Sequence, residues 1–510
     1  MSSPVGYGDT ISIEQPATGP EASSRLATLL RRLDEASDRL SPIVVKEVRQ
    51  IVRGREFNYS FMVSLVVGLL VAFFGAANAT TGTGTGQSVF VALIACLALL
   101  GIGIVPFGAF SALRNERLEQ TMDLITVTSL SAREVIVGKL LAQGVKLATL
   151  FAGMAPFVAT SFLLGGIDFI SIVLSLTIVF LVSLWVCAAA LLVSSLAKSR
   201  GVSGALLAGG AFLVLIFVFG GVQILNRILF GFARGGGIGV VFGAPSGAQG
   251  WWILGLVVTL GAASLVNLVL LAENRLSSPV ENKATALRIG FFVHFLVILA
   301  AFNAIAHFSS LPRAVEPLAV LGLVHLSIVA AFTVTESFTV PRRVLRDIQA
   351  PSRWRLLRAV LWPGGGRGAA YVLVQMMLLI AAVRYLSAPD VAWVAAACGY
   401  ICLVTGVPAV VLRWARPGLP AFYLRIAILV LVSASLVIPD VLYYVFAQDE
   451  FSLDYANRHL LNPLRTIANW DLVEQRGLSL VPAILGAIGV MTYVALIIMN
   501  RRTSRTAPIS

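Results

Sequence analysis

Charge is scarce in this chain of 510 residues: Asp, Glu, Lys and Arg make up 12% of it, and histidine occurs four times. Apolar residues make up 58%, and the mean hydropathy is +0.89. No soluble core can hide so many apolar runs of about 20 residues, which excludes an ordinary globular enzyme. Cysteine is equally sparse. Cys96, Cys187, Cys398 and Cys402 all fall inside apolar runs, which excludes a disulfide or zinc framework and leaves packing as their role. No cleavable signal peptide opens the chain. Its first 40 residues are polar and read as a flexible segment, and the first apolar run begins near Phe61, so a cytoplasmic amino terminus is expected. No G-x-x-x-x-G-K-[ST] phosphate loop occurs either. Gly82 to Gly86 (GTGTG) and Gly235 to Gly239 (GGGIG) lack the Lys-Ser/Thr and are expected as flexible outer loops, so the chain is not expected to hydrolyse ATP by itself. No His and carboxylate cluster of the kind a membrane hydrolase needs is present, and no metal site is expected.

What is present is a series of apolar segments that predicts an all-α, polytopic membrane protein with about twelve spans. They lie near 59–78, 88–112, 145–165, 169–196, 202–224 and 251–272, then 286–306, 317–338, 369–387, 391–413, 424–447 and 480–499. Charge placement gives a separate criterion. With the amino terminus inside, all but seven of the 38 Lys and Arg fall on the cytoplasmic side; Arg227, Arg234, Arg313, Arg384, Arg458, Arg465 and Arg476 do not. That asymmetry follows the positive-inside rule and predicts an even count with both termini cytoplasmic. It also explains the net charge of +13 without nucleic acid as a partner. The chain therefore reads as residues 1–40, a six-span module at 41–272, and a second six-span module at 273–510 with no counterpart of the first module's charged motif.

Two polar stretches stand against this background. In LSPIVVKEVRQIVRGREFN, residues 40–58, Ser41 is a capping residue and Pro42 suits a first helical position. Val44, Val48, Ile51 and Val52 recur at helical spacing, while Lys46, Arg49 and Arg53 line another face. This predicts an amphipathic helix over 42–57 lying in the membrane interface, its basic face toward lipid phosphates. The second stretch, 113–144, carries Glu116, Arg117, Glu119, Asp123, Arg133, Glu134 and Lys139 between two apolar runs. Leu118, Met122 and Ile125 form an apolar stripe on a first helix, and Thr126 to Ser129 break it. Ser131 and Glu134, three apart, form a capping-box pattern that starts a second helix leading into the third span, with Lys139 and Lys146 able to snorkel. A connection longer than adjacent spans require, with an apolar stripe, has the character of a helix that docks into a groove.

Glu116-Arg117-x-Glu119-x-Thr121-Met-Asp123, followed by Thr128-x-Leu130-Ser131-x-x-Glu134 and Gly138-Lys139, resembles the signature of the ABC-type-2 permease family. Gln120 and Ser129 depart from it where Gly and Pro are usual. Pro42-Ile-Val-Val-Lys46-Glu47-Val-Arg49 is similar to the start of many members. The resemblance covers about residues 40–272. It implies the membrane subunit of an ATP-binding-cassette transporter in the plasma (inner) membrane. Such a subunit pairs with a separate cytoplasmic P-loop ATPase, which would hold the ATP-Mg, and works as a permease dimer or pseudo-dimer; most members are exporters. Carried over, Glu116, Arg117, Glu119, Thr121 and Asp123 belong to a coupling helix against the ATPase, Ser131 and Glu134 hold its turn, and 42–57 is the interfacial elbow.

Other features leave alternatives open. Val222 to Gly250, apolar but broken by glycine, reads either as a re-entrant segment or as a surface loop. The basic loop from Pro341 to Gly368 reads as a topology determinant, with contact to lipid phosphate or ATPase as the alternative. His294, His325, Glu336 and Asp440 lie in or near spans. No carboxylate is central enough for a proton-coupled secondary transporter, the rival to the ATP-driven reading, and His325 is expected as a neutral, helix-bonded residue.

Overall fold

A computed structural model describes residues 42–78, 85–118, 131–165, 167–196, 204, 247–277, 281–308, 315–338, 340, 342–349, 360–386, 391–416, 418–447 and 457–506. Among the described residues there is no strand, and ten helices are long and apolar enough to cross a membrane. The described residues are thus all-helical and compatible with a multi-pass membrane protein. The expected span at 202–224 lies outside the described residues except for Gly204, as does the segment 222–246. The expected span at 317–338 is shorter than anticipated, with an apolar helix only over Leu318–Thr333.

The first module begins with α1 (Pro42–Arg53), which starts at the expected proline and ends four residues earlier than the sequence suggested. Gly54 interrupts the helix, and α2 (Arg55–Asn78) follows as the first span, with Phe57 in its buried face. The second span combines α3 (Thr85–Ala98), a π-helical turn (Leu99–Ile104) and α4 (Val105–Leu118). Thr85 and Gly86 thus open a helix, where the sequence had suggested a flexible glycine loop. Then come α5 (Ala132–Leu163), α6 (Phe169–Leu196) and α7 (Gly247–Leu276).

The second module comprises α8 (Lys283–Phe308), α9 (Val315–Thr333), the short α10 (Arg342–Gln349), α11 (Gly365–Leu386), α12 (Val391–Ala415) and α13 (Ala421–Ala447). A 3₁₀ turn (Asn457–Leu461), α14 (Pro463–Ala468) and α15 (Trp470–Gln475) precede the last span, α16 (Leu480–Thr506). These short elements form a cap whose Trp470 and Val473 pack on Ala396 of α12.

Side-chain distribution is that of helices in lipid. Buried positions of α2 are mostly small, Ser60, Ser64, Gly68, Ala72 and Gly75, while Met62, Leu69 and Phe73 are exposed. Lipid is as apolar as leucine, so helices associate through close approach of small residues instead of hiding large ones. Backbones meet directly between α12 and α16: a Cβ at Gly399 would lie 2.4 Å from Gly486 Cα. The buried serines of α2 donate to carbonyls of their own helix, Ser60 Oγ to Phe57 O at 2.9 Å and Ser64 Oγ to Phe61 O at 2.6 Å. The four cysteines are unpaired, and Cys187, Cys398 and Cys402 are buried in the packing role expected of them.

Candidate functional site

Helix α1 lies against α5, and its faces divide as its charge pattern dictates. Val44 and Glu47 are buried, Val48 and Ile51 half-buried, and Lys46, Arg49 and Arg53 exposed. Val52, expected on the apolar face, is exposed. A carboxylate on a buried face needs a counter-charge, and Lys139 of α5 provides it. The Lys139 ammonium donates to Glu47 Oε1 at 2.9 Å and to Glu116 Oε1 at 2.9 Å, and Lys139 is only 2% exposed. One lysine therefore ties three elements: α1, the end of α4 and the beginning of α5. Lys139 does not snorkel to the surface as its sequence position suggested, because two carboxylates hold it inside.

The neighbouring bonds fix the same corner. Arg117 Nη1 donates to the carbonyl of Ser195 at the end of α6, and Ser194 Oγ donates to Phe110 O at 2.8 Å. These bonds hold the last turns of α4 against α6. Ser131 starts α5 with extended backbone (φ −77°, ψ 151°), its Oγ accepting from Glu134 N at 3.2 Å. Glu134 Oε2 accepts in return from Ser131 N at 2.8 Å, completing the expected capping box. Further along α5, Gln143 and Lys146 are also buried, at four and seven residues from Lys139. The helical period places all three on one face, a polar seam inside the bundle.

Of the residues singled out from sequence, Glu116, Arg117, Ser131 and Glu134 are placed by the structure at this corner. Lys46, Arg49 and Arg53 lie on the exposed face of α1. Glu119, Thr121 and Asp123, with Gln120 and Ser129, lie outside the described residues. Glu47 and Lys139 were missed as a pair. Their signal was an acidic residue within a basic helix and a lysine in the first turns of an apolar one; their separation of 92 positions conceals the contact.

A second polar node lies in the second module. Arg288 of α8 is fully buried; it donates to Val360 O at 2.7 Å, Trp362 O at 2.6 Å and Glu336 Oε2 at 2.5 Å. Glu336 also accepts from Gly364 N at 2.9 Å. Gly364 has φ +129°, a conformation that L side chains rarely adopt, and this turn delivers α11 to the end of α9. Arg413 donates to the carbonyls of Thr335 and Glu336, and its guanidinium lies 4.1 Å from the centre of the Phe338 ring. Arg425 Nε donates to Thr335 Oγ1 at 3.0 Å. Three arginines thus converge just beyond the carboxyl end of α9, where unpaired carbonyls favour cations.

Deeper in the second module, His294 Nδ1 and His325 Nδ1 are 3.0 Å apart. A single proton between facing nitrogens makes one ring donor and the other acceptor. His325 therefore pairs with a histidine of the neighbouring helix, where the sequence had suggested a bond within its own. Among the described residues no group of three or more His, Cys, Asp or Glu is arranged to hold a metal. No family profile, no characterised protein and no solved structure matches this chain.

Proposed function

We propose that this chain is the membrane-spanning permease subunit of an ATP-driven exporter, coupled to a separate cytoplasmic P-loop ATPase through the segment between its second and third spans. The observation that carries the reading is the buried Lys139 bridge to Glu47 and Glu116, which ties together the ends of α4 and α5, the two helices that the segment 119–130 connects in sequence. A segment that transmits force needs stiff attachment at both ends. Here the Arg117 bond to Ser195 secures one end and the Ser131–Glu134 capping box the other. In this reading the chain resides in the plasma (inner) membrane with both termini cytoplasmic, ATP-Mg binds the partner, and two permease modules form a dimer or pseudo-dimer.

The test is ATP hydrolysis by the complex purified from native membranes, compared with Asp123→Lys, which carries no assigned fold role. The reading requires an associated ATPase whose activity responds to the permease and falls at least tenfold in the variant while insertion is preserved. Equal activity in both overturns it. The His294–His325 pair favours a second reading, an ion- or proton-coupled secondary transporter. Transport that persists without any ATPase on a pH gradient would establish that one instead.

A further inference from the structure

A cavity of about 310 Å³ opens where the two modules meet, between the end of α7 and the beginnings of α8, α11 and α13. Leu271, Leu287 and Phe332 give it apolar walls, and Arg275 and Arg425 bring two guanidiniums to the same space. Arg275 is exposed and makes no hydrogen bond or ion pair with any described residue, while Arg425 is half-buried and donates to Thr335 Oγ1 and Phe332 O. Cations that repel one another across an apolar-walled space are stabilised by an anion between them.

The backbone contributes in the same sense. Ala284 in the first turn of α8, Gly364 just before α11 and Ala421 at the start of α13 all line the cavity. Three helix amino termini, with their partial positive charge, therefore border it, although the Gly364 amide is taken by Glu336 and the Thr285 amide by Asn282. Two carboxylates line it as well. Glu336 is already neutralised by Arg288 and Gly364 N, and Glu281 is exposed. Beside the cavity, Val344 of α10 forms part of the wall while Arg343 and Arg346 on that helix are exposed. A short helix with an apolar foot in the cavity wall and basic residues outside has the pattern of an interfacial element.

We propose that this cavity binds a phosphate ester, the headgroup phosphate of an anionic lipid or a free phosphate compound, clamped between Arg275 of the first module and Arg425 of the second. Basic pockets between spans on a membrane face have the composition that holds anionic headgroups. An anion here would relieve the repulsion between the two arginines and join the modules. This inference does not depend on the permease reading.

The test is binding of short-chain phosphatidylglycerol, phosphatidylcholine and inorganic phosphate to the full-length protein in detergent, followed by native mass spectrometry. Phosphatidylglycerol is expected to bind, with an apparent Kd at least tenfold weaker in the Arg275→Gln/Arg425→Gln double variant and also weaker in Ala421→Trp, which crowds the cavity without touching a charge. Glu281→Gln is expected to tighten binding. Competition by inorganic phosphate at matched concentration would identify a free phosphate compound as the ligand, and its failure to compete a lipid headgroup. If the double variant does not fold, Arg275→Gln alone and Ala421→Trp decide. Wild-type affinity in both, equal binding of phosphatidylcholine, or no binding of any probe by the wild type overturns the proposal.

Discussion

Replacing Lys139 by methionine keeps most of the side-chain volume and removes the charge. The wild-type ammonium is 3% exposed at its side chain and faces Glu47, 7% exposed, and Glu116, 19% exposed. Breaking a buried pair by removing one partner costs about 3–5 kcal/mol, because the remaining charge is left in a dry site. The Glu47 contact accounts for most of this, and the Glu116 contact is discounted for its partial exposure. For a chain of this size such a loss corresponds to a fall in Tm of about 3–5 °C. The assay is thermal unfolding of the detergent-solubilised protein in a mutant cycle. Lys139→Met and Glu47→Gln are each expected to destabilise strongly, Glu116→Gln less so. Lys139→Met combined with Glu47→Gln and Glu116→Gln is expected to recover much of the loss, since no unpaired charge remains. Additive losses without recovery would refute the reasoning. The same geometry says that charge reversal at Glu116 is an ambiguous probe of ATPase coupling: it would place a second cation beside Lys139 and disturb the fold.

Three further outcomes follow from particular contacts. Gly399→Leu is expected to abolish folded protein, measured as loss of the monodisperse species, because even its Cβ would lie 2.4 Å from Gly486 Cα. Ser131→Ala removes one half of the capping box and is expected to cost about 1 kcal/mol of stability in the same thermal assay. Asp168 caps α6 by accepting from Ser171 Oγ at 2.7 Å and Ser171 N at 2.9 Å, and the bond from the Ser171 hydroxyl is the main cause holding its carboxyl below the usual value of 3.8. A lowered folded pKa contributes stability that is present above the unfolded value and lost as pH falls through the folded one. The Tm difference between wild type and Asp168→Ala is therefore expected to be full near neutral pH and to shrink as the pH falls below about 4.

The ten candidate spans were legible because each contains a long apolar run, and length and composition set that criterion. The Ser131–Glu134 cap and the proline start of α1 were legible because both are local patterns, complete within four residues. Where α1 ends was not, since Gly54 breaks a helix whose periodicity continues through it. The buried charges were the least legible. Lys139, Arg288 and Arg413 look in sequence like interfacial flanks, and only the packing shows that their partners lie across the bundle. Glu336 was noticed as a residue near a membrane edge, but its tie to Arg288 spans 48 residues and depends on the turn at Gly364. Sequence periodicity reports which face of a helix is apolar; it does not report which charges meet on the face that is not.

The most direct test of the proposed coupling is photo-crosslinking in native membranes from a reactive side chain placed at Met122, on the apolar stripe of the segment between the second and third spans. The account predicts one dominant adduct, with a P-loop ATPase, whose yield differs between ATP-bound and nucleotide-free conditions. Adducts with lipid alone, or a yield indifferent to nucleotide, would contradict it.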